Sequence, residues 1–262
     1  MRKTALTLTI TTLVISVFGA FLHWLQTMNA FEKDTGLAIR GAGTSIAYVI
    51  YTVLAAAAIC FFVFGWLRKY IGSADAGTAL CAETVLPAVL GWLLCICVAA
   101  PSCWMMFSVQ TARFSVFRRV FGACGIIAGL SIPCLTVRRR DDGMNSLARP
   151  AAVILTLFYC LWLVFFYKTF ASENPVVWAY AVETLGIASG TVGIYSLAAY
   201  YFGIGRKNHA LVSVQLAVYF NLGALADEHN TVLSLMLGAT AVLMLIAEYL
   251  LIENLRTDPN GD

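Results

Sequence analysis

PAAVILTLFYCLWLVFFYKTF, residues 150–170, carries no charged side chain before Lys168. About 20 apolar residues, at a helical rise of roughly 1.5 Å each, cross the hydrocarbon core of a bilayer. Runs of this kind recur along the chain with short charged patches between them, and only 12% of all residues are charged while 60% are hydrophobic. So few charges could not cover a water-facing surface, and the sequence therefore predicts an integral membrane protein.

The predicted fold class is an all-α, polytopic transmembrane helical bundle that forms a single domain over residues 1–262. In lipid the backbone must be satisfied within each segment, and the runs are too long and unbroken for the strands of a barrel. The first run is long and lacks a clean cleavage site, so we interpret it as a retained helix. Eight spans are predicted, at about residues 5–25, 45–67, 84–106, 119–137, 150–170, 176–203, 208–226 and 231–252.

The orientation of the bundle is predicted from the Lys and Arg residues of its short loops. With the N-terminus inside, eleven of these residues lie on the inner side and six on the outer side. This bias predicts that both termini are cytoplasmic. The predicted location is a plasma membrane of the bacterial type, which the chain crosses several times. Segment 107–122, FSVQTARFSVFRRVFG, disagrees because it places three arginines outside. We favour an amphipathic segment at the membrane interface there, the alternative being a different topology of the third and fourth spans.

Glu183 is an acid inside the otherwise apolar sixth span. With Asn174 as the cap and Pro175 in the first turn, it would lie two turns into the helix, on the order of 12 Å along the axis. Ionisable residues inside a membrane are costly, which makes them functional candidates. Two interpretations stay open. Glu183 binds a cation, a proton or a polar substrate, or it pairs with Lys168 across the short turn after the fifth span and locks two helices together.

The remaining candidates for a ligand or ion pocket lie on the same, outer side of the predicted bundle. They are Tyr180, Asp227 and Asp34. We expect the loop 26–44, which contains apolar residues beside a DTG turn signal, to cover this pocket as a lid. The alternative is a loop that dips into the membrane interface.

Three other polar residues are interpreted without a functional role: Glu248 as reaching the inner headgroups, Gln215 as an interhelical hydrogen-bond former, and His23 as an interfacial histidine. Small residues on one helix face allow a second helix to approach closely. The predicted helix-packing residues are Gly186, Gly190 and Gly193 in the sixth span and Gly122, Gly125 and Gly129 in the fourth.

Catalytic and metal-binding motifs are missing from the sequence. The eight cysteines form no CxxC pair, and there is no Walker loop, HExxH or GxSxG motif. We therefore predict no enzyme activity, no metal site and no cofactor. The predicted partners are the lipid bilayer, a small polar ligand or ion, and a membrane protein. No nucleic-acid partner is predicted. The leading hypothesis is a transport-like or small-ligand-binding membrane protein, and the alternative is a non-catalytic scaffold, sensor or accessory subunit.

Two segments resemble a group of small eight-helix membrane proteins from Gram-positive anaerobic bacteria. NAFEKDTGL, residues 29–37, is similar to the AFD-x-x-TGL loop of that group. YKTFASENPVVWAYAVETLG (167–186), YYFGIGRKNHALV (200–212) and ALADEHNTVLSL (224–235) resemble its second half. The resemblance implies an eight-helix fold and draws attention to the segments that contain Lys168, Glu183 and Asp227. It implies no activity.

Overall fold

The computed structural model describes residues 2–32, 37–66, 80–81, 85–108, 115–136, 147–171, 180–227 and 231–254. Within them the chain forms eight α-helices and one isolated antiparallel bridge, between Phe31 and Ala38, which confirms the predicted all-α bundle. Single π-helical turns, Phe62–Trp66 and Tyr167–Ala171, extend α2 and α5. The helices are α1 (Arg2–Asn29), α2 (Gly43–Phe61), α3 (Leu86–Phe107), α4 (Ser115–Thr136), α5 (Ala148–Phe166), α6 (Ala181–Tyr201), α7 (Lys207–Ala224) and α8 (Thr231–Glu253).

Six of the eight described helices, α1 to α5 and α8, are long and apolar enough to cross a membrane. Helices α6 and α7 are not among the six, because α6 is rich in small and polar residues and α7 carries several polar side chains, Gln215 and Asn221 among them. The structure thus supports a multi-pass membrane protein. That α6 and α7 also cross the bilayer, and that both termini are cytoplasmic, stay predictions.

The less apolar helix α7 lies at the centre of the bundle. It packs against α1, α2, α6 and α8, while consecutive helices from α3 to α8 pack pairwise. Leu211, Val214, Ala217 and Val218 on α7 are completely buried. The polar side chains of α7 therefore meet other helices of the protein instead of lipid, which is where polar groups in membrane proteins are tolerated.

The outer surface of the bundle is apolar. On α2 the exposed residues recur at helical spacing, at Ile46, Val49, Ile50, Val53 and Leu54. A continuous apolar stripe of this size would be unstable against water, whereas the acyl chains of a bilayer cover it at no cost. The exposed stripe therefore agrees with lipid as the partner of these helices.

The structure corrects the interpretation of segment 107–122. Helix α3 ends at Phe107 and α4 already begins at Ser115, so the second half of the segment belongs to a bundle helix. The ring of Phe121 is 1% exposed and stacks on Phe165 of α5 at a centroid distance of 4.2 Å, and Phe117 stacks on the same ring at 5.8 Å. An interfacial segment is therefore wrong for residues 115–122, because its aromatic rings fill the contact between α4 and α5. Residues 109–114 lie outside the described part.

The loop before α2 is described on both sides of residues 33–36. Its backbone closes a short ladder in which Glu32 donates to Leu37 over 2.9 Å and Ile39 donates to Ala30 over 2.7 Å. Leu37 is 52% exposed and Ile39 is 45% exposed, whereas Phe31 is half-buried. The two exposed apolar side chains favour the alternative of a loop that meets the membrane interface, and the lid stays a prediction. Asp34 lies outside the described residues.

Glycines of α4 allow a very close approach of α3. A Cβ atom placed on Gly122 would lie 2.6 Å from the backbone oxygen of Ser102, and one on Gly129 would lie 3.0 Å from the backbone nitrogen of Ala99. At Gly125 the added atom would collide with the hydroxyl group of Ser102. A side chain at Gly122 would collide with the backbone of α3, and a backbone atom cannot relieve the collision by a change of side-chain rotamer.

We expect Gly122→Ala to lower the free energy of unfolding by about 2 kcal/mol, the middle of the range for overpacking a close contact. Thermal unfolding of the purified protein in mild detergent measures the effect. Gly65→Ala is the matched control, since a Cβ atom there would meet nothing within 4 Å. Equal melting temperatures for the two variants would show that α3 and α4 do not approach as closely as described.

Candidate functional site

An ion pair connects the C-terminal end of α1 with the turn between α7 and α8. The Nε2 atom of His23 lies 2.8 Å from Oδ1 of Asp227, and the two side chains are 3% and 14% exposed. The sequence predicts an interfacial His23 without a partner and Asp227 as a candidate of the ligand pocket. The structure joins them in the interior, where a paired charge is far more favourable than a lone one.

The second ring nitrogen of His23 is also engaged. Nδ1 lies 3.1 Å from Oε1 of Gln26, and Nε2 of Gln26 donates to the hydroxyl of Ser45 on α2 over 3.2 Å. Both ring nitrogens of His23 therefore lie close to side-chain oxygens, Nδ1 to that of Gln26 and Nε2 to that of Asp227. The ring of Tyr48 lies beside it with a centroid distance of 4.8 Å.

Glu183 lies in the first turn of α6. The helix begins at Ala181 with Tyr180 as its N-cap residue, so the predicted depth of two turns is wrong, while Asn174 and Pro175 lie outside the described residues. The side chain of Glu183 is only 6% exposed. The first turn is where the partial positive charge of a helix N-terminus favours a carboxylate, and this explains an acid at the edge of an apolar stretch.

Asp227 lies within electrostatic range of Glu183 and of the hydroxyl group of Tyr48. The side chains of Val182 and Tyr48 both approach Gly223 of α7, at 3.6 and 3.8 Å from the position of an added Cβ. Four helix ends therefore meet around one polar region, which we call the His23 cluster and define as His23, Gln26, Ser45, Tyr48, Glu183 and Asp227.

Lys168 lies in different surroundings from Glu183. It belongs to the π-helical turn after α5, is exposed, and places its Nζ atom 6.0 Å from the ring centroid of Phe117. Tyr180 is half-buried, with its ring edge-on to Phe166 at 6.5 Å between centroids. The Lys168–Glu183 pair therefore stays a prediction, while Glu183 lies within electrostatic range of Asp227.

The glycines of α6 line its contacts with three helices. A Cβ atom on Gly186 would lie 3.2 Å from the backbone oxygen of Phe220 on α7, and the same Gly186 accepts a 2.9 Å hydrogen bond from the Asn221 amide at its carbonyl oxygen. Added Cβ atoms at Gly190 and Gly193 would lie 3.1 Å from Tyr159 of α5 and 2.9 Å from Met244 of α8. This packing holds the first turn of α6, and with it Glu183, against the end of α7.

Hydroxyl groups extend the polar region from the His23 cluster toward the middle of the bundle. The hydroxyl of Thr52 lies 2.9 Å from that of Tyr219 and also donates to the backbone oxygen of Tyr48 over 2.8 Å. The Tyr219 ring fits against Gly19 of α1, where an added Cβ would lie 2.5 Å from it. The polar groups thus form a connected seam between α1, α2 and α7.

The sequence contains a signal that could have identified this seam. The residues Thr12, Ser16, Gly19, His23 and Gln26 follow each other at alternating spacings of four and three, which places small and polar residues on one face of α1. In a membrane helix such a face turns toward protein partners. The partner of His23 itself, Asp227, could not be inferred because it comes from the far end of the chain.

A separate apolar pocket lies between α4, α5, α6 and α8, at the end of the bundle opposite the His23 cluster. It encloses about 410 Å³, counting the part open to the outside, and nearly all of its lining residues are apolar. Among the described residues, no group of three or more His, Cys, Asp or Glu side chains is arranged to hold a metal ion. No Asp, Glu, Lys, Arg or His side chain of the described residues therefore lines this pocket.

Comparison with known proteins returned no similarity to the chain: no protein-family model, no curated protein and no solved structure matches it.

Proposed function

We propose that this chain is a transport-like membrane protein that binds a small cation, the proton included, at the His23 cluster. The observation that carries the proposal is a second carboxylate, Glu183, which is 6% exposed and lies within electrostatic range of Asp227, the partner of His23. Among Glu183, Asp227 and His23, the acids outnumber the base. A bound cation or a proton offsets part of their negative charge in a region shielded from water.

The proposal includes an outward-facing His23 cluster in a bacterial plasma membrane with cytoplasmic termini. This orientation rests on the bias of Lys and Arg toward the predicted inner side. The place in a bacterial membrane rests on the resemblance of the loop segments to proteins of Gram-positive anaerobes. The meeting of α1, α2, α6 and the end of α7 at the cluster suits a site that opens when helix ends move apart.

Cation binding is tested by the thermal stability of the purified protein in detergent. We expect NaCl, KCl or ethylammonium chloride, each replacing N-methyl-D-glucamine chloride at equal ionic strength, to raise the melting temperature of the wild type. A ligand at about 100 times its Kd stabilises by about 2.7 kcal/mol, which is readily measured. The shift should be lost in Glu183→Gln and kept in Glu32→Gln, an exposed acid in the loop before α2.

The proton is tested separately, in liposomes that contain the protein and a trapped pH-sensitive dye. We expect an imposed pH gradient to collapse faster with the wild type than with Glu183→Gln. Identical behaviour of these two proteins toward all three salts and toward the pH gradient would contradict the proposal.

The alternative, a non-catalytic scaffold locked by a Lys168–Glu183 pair, makes a different prediction in the same melting experiment. It requires that Lys168→Met and Glu183→Gln each lower stability and that the double variant recovers part of the loss. Because Lys168 is exposed and lies over the Phe117 ring, we expect Lys168→Met to stay within about 0.5 kcal/mol of the wild type.

A further inference from the structure

A second buried acid, Glu248 of α8, lies at the level of the middle of α1 and α7. The sequence interpretation placed it among the headgroups, but its side chain is 0% exposed. It is enclosed because α8 packs against α1, α3, α6 and α7, and Glu248 points into the contact with α1 and α7. The prediction of a headgroup-facing residue is therefore wrong.

Two neutral side chains hold one oxygen of this carboxyl group. Thr12 of α1 donates its hydroxyl to Oε1 of Glu248 over 2.7 Å, and the amide of Gln215 on α7 lies 2.6 Å from the same oxygen. Thr12 and Gln215 are 4% and 3% exposed. We call Thr12, Gln215 and Glu248 the Glu248 cluster.

The rest of the cluster lacks partners within the described part of the chain. No hydrogen bond reaches Oε2 of Glu248 or Oε1 of Gln215. No described Lys, Arg or His side chain forms an ion pair with Glu248, and the groups that act on it from the surrounding helices are Thr12 and Gln215, neither of which is titratable. An ionised carboxylate would thus be buried without a counter-charge, which is among the most costly arrangements in a protein.

The hydrogen bonds around Glu248 fit a protonated acid. The Gln215 amide and the Thr12 hydroxyl both donate to Oε1, and neither group carries a charge. A protonated carboxyl group keeps an accepting oxygen beside its O–H group. Oε1 is the accepting oxygen here, and Oε2, which no described group reaches, can carry the proton. The neutral acid thus avoids the cost of a buried carboxylate without a counter-charge.

We propose that the Glu248 cluster is a proton-binding site, in which Glu248 is a neutral carboxylic acid at neutral pH. The carboxylic acid releases its proton to a water molecule, which leaves a carboxylate and a hydronium ion, and the reverse transfer restores the acid. The site is distinct from the His23 cluster: Thr12 and His23 share one face of α1 but are about 16 Å apart along its axis. The inference does not depend on the proposed cation binding.

Infrared spectroscopy of the intact protein in lipid tests the inference. The difference spectrum of wild type minus Glu248→Gln at neutral pH should contain one carbonyl band of a carboxylic acid. That band should shift in D₂O, because the proton exchanges, and should be unaffected by replacing K⁺ with Na⁺. Glu253→Gln, an acid at the end of the same helix that accepts from Tyr249, is the control and should not remove the band.

Three results would overturn the inference. A carboxylate band in place of the acid band shows that Glu248 is ionised. Loss of the acid band on addition of Na⁺ at constant pH shows a metal-cation site instead, and an unchanged band in D₂O shows a proton that never exchanges. If Glu248→Gln does not fold, Gln215→Asn keeps the test decisive. It shortens the side chain that donates to Oε1 of Glu248, so it must shift the same band, and an unshifted band contradicts the assignment.

Discussion

Replacing Glu248 with alanine is expected to lower the free energy of unfolding by about 4 kcal/mol, the largest effect we predict for a single residue. The substitution removes a fully buried side chain and leaves a cavity, which costs about 2–5 kcal/mol for side chains of this size. It also removes the shared acceptor of Thr12 and Gln215. Hydrogen bonds inside membranes contribute about 0.6 kcal/mol on average, so the cavity is the larger part.

Glu248→Gln separates the contribution of shape from that of charge. It preserves the volume and the contacts with Thr12 and Gln215, and a neutral amide is a close substitute for a protonated acid. We therefore expect its unfolding free energy, measured by chemical denaturation in detergent, to stay within about 1 kcal/mol of the wild type. A loss in Glu248→Gln as large as in Glu248→Ala would mean that the folded protein needs the negative charge, against a neutral Glu248.

Hydrophobic runs define the helices of this chain because a bilayer requires them to be long and continuous. The predicted spans 208–226 and 231–252 differ from α7 (Lys207–Ala224) and α8 (Thr231–Glu253) by at most two residues. The sixth span was predicted to start at 176 although α6 begins at Ala181. Residues 176–179 are as apolar as the helix itself, and Tyr180 is not a typical N-cap residue, so composition could not mark the boundary.

The two polar clusters could be predicted only in part, because their members come from distant parts of the chain. Glu183 stood out as an acid in an apolar stretch, yet its preferred partner in the sequence was the nearby Lys168. Thr12 and Glu248 are 236 residues apart in the sequence and meet only because α7 and α8 pack against α1. Hydropathy shows which residues avoid lipid, but the register between helices depends on side-chain packing such as that of Gly19 against Tyr219.

The second large effect is expected at the ion pair that joins α1 to the turn before α8. Asp227→Ala leaves the imidazole of His23 buried without its carboxylate, and we expect the free energy of unfolding to fall by about 3 kcal/mol. Breaking a buried pair typically costs about 3–5 kcal/mol, and the lower end applies because the Asp227 side chain is 14% exposed. Asp227→Asn should cost less, since its side-chain oxygen can still accept from Nε2 of His23.

A double-mutant cycle isolates the pair from the rest of the cluster. His23→Ala also breaks the contact with Gln26, so its cost includes more than the pair. Subtracting the two single losses from the loss in His23→Ala/Asp227→Ala gives the interaction energy, which we expect to be about 2 kcal/mol in favour of the pair. An interaction energy below about 0.5 kcal/mol would mean that His23 and Asp227 do not form a stabilising pair between α1 and the α7–α8 turn. The proposed cation site would then lose the ion pair that it includes beside Glu183.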